Sequence, residues 1–224
     1  MMTFSEMLRL CAWARALPAA DLARIEAETV TRVCPPGSLV CRKGEPVEAW
    51  IGVVDGLVKM ANVSTEGKPT SFVGAASGSW FGEGSLLKDE PRRYDIIALR
   101  SSTIAYMPRA TFTWLLDTSM PFNRFLIVQL NERLGQFIGM VEHDRLLLPD
   151  ARLAQCLASM FNAHLYPGIG PALPISQEEI AQLAGLSRQR VNQGLKRLEQ
   201  AGLLRIEYGG IRVTDLAGLR AFVG

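Results

Sequence analysis

Hydrophobic positions change rhythm three times along the chain. Residues 5–16 read as a short helix, and Asp21–Val30 as a second, with Asp21 placed to cap it after Leu17-Pro18. From Arg32 the pattern becomes short apolar runs: Ser38–Cys41, Ala49–Val54, Leu57–Val63, Thr70–Ala75, Ile96–Arg100 and Thr103–Met107. Gly37, Gly44, Gly56, Gly67, Gly74, Gly78, Gly82 and Gly84 punctuate them. Many short strands between regular turns predict an antiparallel sandwich or barrel. After Met107-Pro108 the period turns helical, first over Thr111–Leu116 and then from Pro121 to about Leu148. On that long helix Ile127, Leu130, Leu134, Phe137, Val141 and Leu148 fall on a/d positions of one heptad frame, with Asp144 at the remaining d. Such a seam suits pairing with a second helix, or packing on the chain's own barrel. Pro149-Asp150 breaks the helix and marks a domain boundary; a helix over about Asp150–Leu165 and a loop over Tyr166–Pro174 follow.

The stretch Pro174–Leu204 carries the sharpest local signals. Ser176 and Glu179 have capping-box spacing. Ile180, Leu183 and Ala184 recur at helical spacing, and Gly185 suits a helix C-terminus. Ser187 caps a second helix whose apolar positions are Val191, Leu195 and Leu198. Its other face holds Arg188, Gln189, Arg190, Asn192, Gln193, Lys196 and Arg197. Cationic side chains attract phosphates, and Arg, Gln and Asn can pair bidentately with guanine or adenine in the major groove. Helix, glycine turn and basic, amide-rich helix form a helix-turn-helix pattern, whose plain alternative is a helical hairpin with a solvated face. Two short strands flanking Gly209-Gly210 read as a hairpin wing, and Asp215–Phe222 as a last helical turn or two.

Composition narrows the choices. The 224 residues suffice for one large or two small domains, and 48% hydrophobic with 21% charged residues is an ordinary soluble profile. Net charge is only +2, so nucleic-acid affinity must come from local clustering. No apolar run reaches bilayer length, and the N-terminus lacks a secretory pattern, so a cytoplasmic location without membrane attachment is expected. Cys11, Cys34, Cys41 and Cys156 contain no CxxC pair, which argues against structural zinc. Cys34 and Cys41 could approach each other across a strand pair, leaving a redox-responsive regulator as one alternative. An enzyme on a cupin-like roll would need barrel histidines, yet His143 and His164 are the only histidines. No enzymatic activity is expected.

In this order, a glycine-punctuated roll, a long helix and a winged helix-turn-helix resemble the Crp/Fnr superfamily of bacterial transcription regulators. KGEPVEAWIGVVDGLVKM (43–60), WFGEGSLLKDEPRRYD (80–95) and ISQEEIAQLAGLSRQRVNQGLKRLEQAGLL (175–204) carry the resemblance. It implies an α+β fold. Residues 1–120 would form a sensor domain, an antiparallel β-roll of jelly-roll type with flanking helices. Residues 121–148 would be a dimerisation helix, and 149–224 a winged helix-turn-helix domain. It further implies a homodimer on double-stranded DNA with a roughly palindromic site, and RNA polymerase as partner if the protein activates.

The resemblance places a small-molecule or nucleotide effector in the roll. Gly82, Glu83, Arg93, Tyr94 and Phe137 are its candidate contacts, with Ser187, Arg188, Gln189, Arg190, Asn192, Gln193 and Lys196 the candidate DNA contacts. Tyr94 stands where cyclic-AMP-binding relatives have a small hydroxyl residue. Phe137 and Ile138 stand where those relatives contact the adenine. Cyclic AMP bound in the usual mode is therefore not expected; another ligand, or a degenerate pocket with Glu83 and Arg93 as a structural ion pair, remain the choices. An iron–sulfur cluster would need clustered N-terminal cysteines, and haem an axial ligand beyond the two histidines; neither is expected. Gln189 and Gln193 replace glutamate and arginine of the cyclic-AMP regulator, implying a different half-site. A nucleotide-binding signalling adaptor without DNA binding is the other class.

Overall fold

The computed structural model describes residues 1–63 and 69–223, so the expected turn at Gly67 lies outside the described residues. The chain divides into two compact units, Met1–Glu132 with His164–Gly168, and Arg133–Ala163 with Ile169–Gly224.

In the first unit, α1 (Phe4–Leu10) starts at a capping box. Thr3 Oγ1 accepts the Glu6 amide at 3.2 Å, and Glu6 Oε2 accepts the Thr3 amide at 2.7 Å. The expected helix over 5–16 breaks at Cys11, giving α2 (Ala12–Arg15). The break has a packing reason. Met7, Cys11 and Ala14 share one helical face, but Trp13 lies about 120° from it, and all four are buried. α3 (Ala19–Glu28) follows, with Asp21 in its first turn and Pro18 at the cap position.

Eight strands come next: β1 (Val30–Cys34), β2 (Leu39–Cys41), β3 (Ala49–Asp55), β4 (Leu57–Val63), β5 (Pro69–Ala76), β6 (Trp80–Phe81), β7 (Asp95–Ala98) and β8 (Ser102–Pro108). They form two four-stranded antiparallel sheets, in the orders β1-β8-β3-β6 and β2-β7-β4-β5. Cys34 and Cys41 thus sit in different sheets rather than on paired strands. The short α4 (Glu83–Lys88) lies between β6 and β7; α5 (Arg109–Thr118) and α6 (Met120–Leu146) follow β8.

The helices pack against the β1-β8-β3-β6 sheet through an aromatic cluster. Trp50 stacks on Trp80 at 4.3 Å, and Trp13, Phe112 and Phe122 meet Trp50 edge-on or tilted at 5.4–5.8 Å. Each such pair adds about 0.5–1.5 kcal/mol beyond burial. The cluster anchors β6, and with it the start of α4.

In the second unit, α7 (Pro149–Ser159) begins with Pro149 at its first position, where the missing N–H costs nothing. It stops short of the expected Leu165. The following segment contains a two-residue strand, β9 (Ala172–Leu173), where a loop is expected. α8 (Gln177–Ala184), α9 (Arg188–Gln200), β10 (Leu204–Glu207), β11 (Gly210–Val213) and α10 (Leu216–Ala221) complete the unit. The sheet order is β10-β11-β9. The wing's turn is Tyr208-Gly209, one residue earlier than the expected Gly209-Gly210, because Gly210 pairs with Glu207. A Cβ at 210 would stand 2.5 Å from the Leu173 carbonyl, so the glycine lets β9 join the hairpin.

Candidate nucleic-acid interface and effector site

The two-helix element is fixed at each joint. Ser176 Oγ accepts the Glu179 amide at 3.2 Å and Glu179 Oε2 accepts the Ser176 amide at 2.7 Å. Gly185 ends α8 at φ 62°, a conformation that costs a glycine little. Leu186 N–H then donates to the Ala181 carbonyl at 3.0 Å. Ser187 Oγ caps α9 by accepting the Arg190 amide at 3.2 Å. Val191, Leu195 and Leu198 are fully buried, which fixes the rotation of α9.

That rotation sorts the seven candidate DNA contacts. Gln189, Gln193 and Lys196 share one exposed stripe, with exposed Arg188 at its N-terminal end; none of the four has a side-chain hydrogen-bond or ion-pair partner among the described residues. Ser187 is occupied by capping. Asn192 Nδ2 donates to Gln177 Oε1 at 3.0 Å on α8. Arg190 points away from the stripe, with its guanidinium 2.8 Å from the carboxylate of Asp150 on α7. Arg197 holds the other oxygen of the same carboxylate. Sequence reasoning missed Asp150 as a partner, because it lies some 40 residues upstream. It also missed Tyr208, fully exposed at the wing turn.

In the roll unit, Gly82 is the cap of α4 at φ 93°, which only glycine adopts at little cost. Glu83 is buried, and its Oε2 lies 3.4 Å from the Trp50 indole N–H. Arg93 does not join them. It makes a two-point pair with Glu90 at 2.7 and 2.8 Å, and its side chain is 66% exposed. Hydrogen bonds from Arg93 and Lys88 hold the Glu90 carboxyl down to about 2. The expected Glu83–Arg93 ion pair is therefore corrected to Glu90–Arg93.

The arginine beside the glycine is Arg92. Its Nη1 lies 3.2 Å from where a Cβ on residue 82 would stand, and its Nη2 donates to the Ala49 carbonyl at 3.1 Å. Arg92 is buried while Arg93 is not. Strand parity carries the signal: Ile96 and Ala98 face inward on β7, and position 92 shares their parity. Tyr94 is half-buried. Phe137 belongs to the second unit, 38% exposed on α6. Ile127, Leu134, Ile138 and Val141 are likewise exposed on that helix, so its apolar seam faces outward in the single chain. His164 stacks on Phe125 at 5.6 Å.

Two family models match the chain: the cyclic nucleotide-binding domain over residues 12–119, and the Crp-like helix-turn-helix domain over residues 151–222. The chain is 27% identical over 188 residues to the cyclic AMP receptor protein of Thermus thermophilus, covering 83% of this chain and 84% of the relative. Among solved structures, FixK2 from Bradyrhizobium japonicum superposes with a TM-score of 0.72 at 18% identity, covering 88% of this chain and 98% of the other. The c-di-GMP responsive regulator CLP of Xanthomonas campestris superposes with a TM-score of 0.64 at 23% identity, covering 88% and 99%. Both structures share the fold.

Proposed function

Starting from the chain's membership of the Crp/Fnr superfamily of DNA-binding transcription regulators, we propose that it reads a roughly palindromic site as a homodimer. Crp-like helix-turn-helix regulators bind DNA and act as dimers. Two chains would pair along the outward apolar seam of α6. Each would place α9 in a major groove, about one helical turn from the other. The observation that carries this reading is the exposed face of α9, where Arg188, Gln189, Gln193 and Lys196 stand without protein partners among the described residues. Arg188 and the glutamines suit base edges, and Lys196 suits phosphate. RNA polymerase would be the partner at activated promoters.

DNA-selection sequencing tests it. We expect an enriched inverted repeat, with Gln189→Ala costing about 1–3 kcal/mol and relaxing preference at one base pair per half-site. An enriched motif that Gln189→Ala reads identically would refute the assignment.

A second observation favours an anionic effector in the roll. Arg92 is buried beside Gly82, and its Nη1 has no hydrogen-bond partner among the described residues. A phosphate there would meet Arg92 rather than Arg93. Glu83, turned to the Trp50 indole, does not stand free for a ribose hydroxyl, which tells against cyclic AMP in its usual mode. The Thermus relative is named for cyclic AMP and the Xanthomonas structure for c-di-GMP, so calorimetry with both nucleotides is the direct trial. Binding lost in Arg92→Ala and kept in Arg93→Ala supports this reading; the reverse pattern sinks it.

A further inference from the structure

The first residues of α7 hold two cations of the recognition helix. Asp150 is buried, with its side chain only 7% exposed. One carboxylate oxygen meets Arg190 Nη2 at 2.8 Å, and the other meets Arg197 Nη1. Arg190 and Arg197 are two turns apart, and Gly194 lies between them on the same face of α9. A Cβ at 194 would stand 2.9 Å from Asp150 Oδ1 and 2.6 Å from Leu153 Cδ2. The glycine therefore lets the carboxylate sit against the helix between both arginines. The arrangement is built from three positions on α9 and one on α7, and each depends on the others.

We infer that Asp150 is a positioning residue that keeps Arg190 and Arg197 off the DNA and thereby sets the balance between specific and non-specific binding. The inference rests on the DNA-binding reading above and sharpens it. Among α9's candidate contacts, Arg190 has the longest reach after Arg188. Paired with a buried carboxylate, it is a poor competitor for phosphate. Leaving that carboxylate buried and unpaired would be costly. Base reading is then left to the outward stripe, which holds two glutamines and only two cations, Arg188 and Lys196. A helix with four free cations would bind any duplex more tightly, because phosphate contacts carry no sequence information.

The test measures binding of the full-length chain to its selected site and to a scrambled duplex, across about 50–200 mM salt. Each added phosphate contact steepens the plot of log K against log salt by about 0.9. Asp150→Asn frees one or both arginines, so its slope should steepen by about 1–2. Its affinity for the scrambled duplex at low salt should rise roughly 3–12-fold more than its affinity for the selected site, as the slope change implies. Arg190→Met removes a cation that does not touch DNA, so its slope should equal that of the parent.

Thermal melts identify any variant that fails to fold. Arg190→Met leaves Asp150 paired with Arg197, and keeps the test open if Asp150→Asn is unstable. A slope about 0.9 shallower in Arg190→Met would show that Arg190 contacts phosphate, and would overturn the inference while leaving DNA binding intact. An Asp150→Asn slope equal to the parent's would do the same. A parent chain that binds no duplex in a salt-dependent way would overturn both readings together.

Discussion

Replacing Gly194 with alanine sets two known effects against each other at one contact. Alanine is the better helix former by about 0.8–1 kcal/mol in a helix interior. Against it stands the packing of α9 on α7. The new methyl would lie 2.6 Å from Leu153 Cδ2 and 2.9 Å from Asp150 Oδ1. Either atom ends a flexible side chain, and in an open setting would move aside. Here neither has room: Leu153 is fully buried, and the Asp150 carboxylate is held by two arginines. Overpacking of this kind costs about 1–3 kcal/mol, so we expect Gly194→Ala to destabilise the DNA-binding unit by roughly 1–2 kcal/mol. For a domain of this size that lowers the melting temperature by several degrees, about 4–8 °C for each kcal/mol. Circular dichroism melts of the parent and variant measure it. Leu153→Val removes the obstructing Cδ2, so Gly194→Ala should cost less in that background than in the parent, a coupling that contacting residues show and distant ones do not. A Gly194→Ala chain more stable than the parent, with no coupling to Leu153→Val, would refute the close crossing.

Two further outcomes follow from burial. Leu134 is 57% exposed in the single chain, so Leu134→Glu should leave helicity and melting of the monomer intact while shifting sedimentation at micromolar concentration from dimer to monomer; an unshifted dimer would place the interface elsewhere. Burial pushes the thiols of Cys11 and Cys41 up to about 11 and that of Cys156 up to about 12. The folded chain thus keeps protons that unfolded thiols release above about 8.5. The stability these thiols contribute is fully present below that pH and is lost as pH rises through 11–12. Urea midpoints should therefore fall between pH 8 and pH 10.5, and fall less in Cys156→Ala; an unchanged pH dependence in that variant would remove Cys156 from the account.

Local signals and distant partners explain what the sequence could reveal. Capping serines, the Gly185 turn and the period of Val191, Leu195 and Leu198 are all local, so the two-helix element stands where the sequence puts it. The same holds for most strands, whose ends are set by turn residues beside them. The helix expected over 5–16 fails because burying Trp13 against Trp50 and Trp80 outweighs a continuous run of helix. β9 has only two residues and exists because Gly210 leaves room for its carbonyl. Neither depends on anything nearby in the chain.

The candidate sites divide along the same line. Charge and amide content announce that α9 has a polar face, but not which part of it is free. Val191, Leu195 and Leu198 fix the rotation of the helix, and Asp150 then claims the arginines on one flank. Charge counting along α9 gives four cations, and the fold leaves two of them outward and unpaired. In the roll, adjacent arginines at 92 and 93 are equivalent by composition, and strand parity separates them. Arg92 turns in beside Gly82, while Arg93 turns out to Glu90. In both sites residue type set the candidates, and a carboxylate or a glycine elsewhere in the fold decided which of them is available to a ligand.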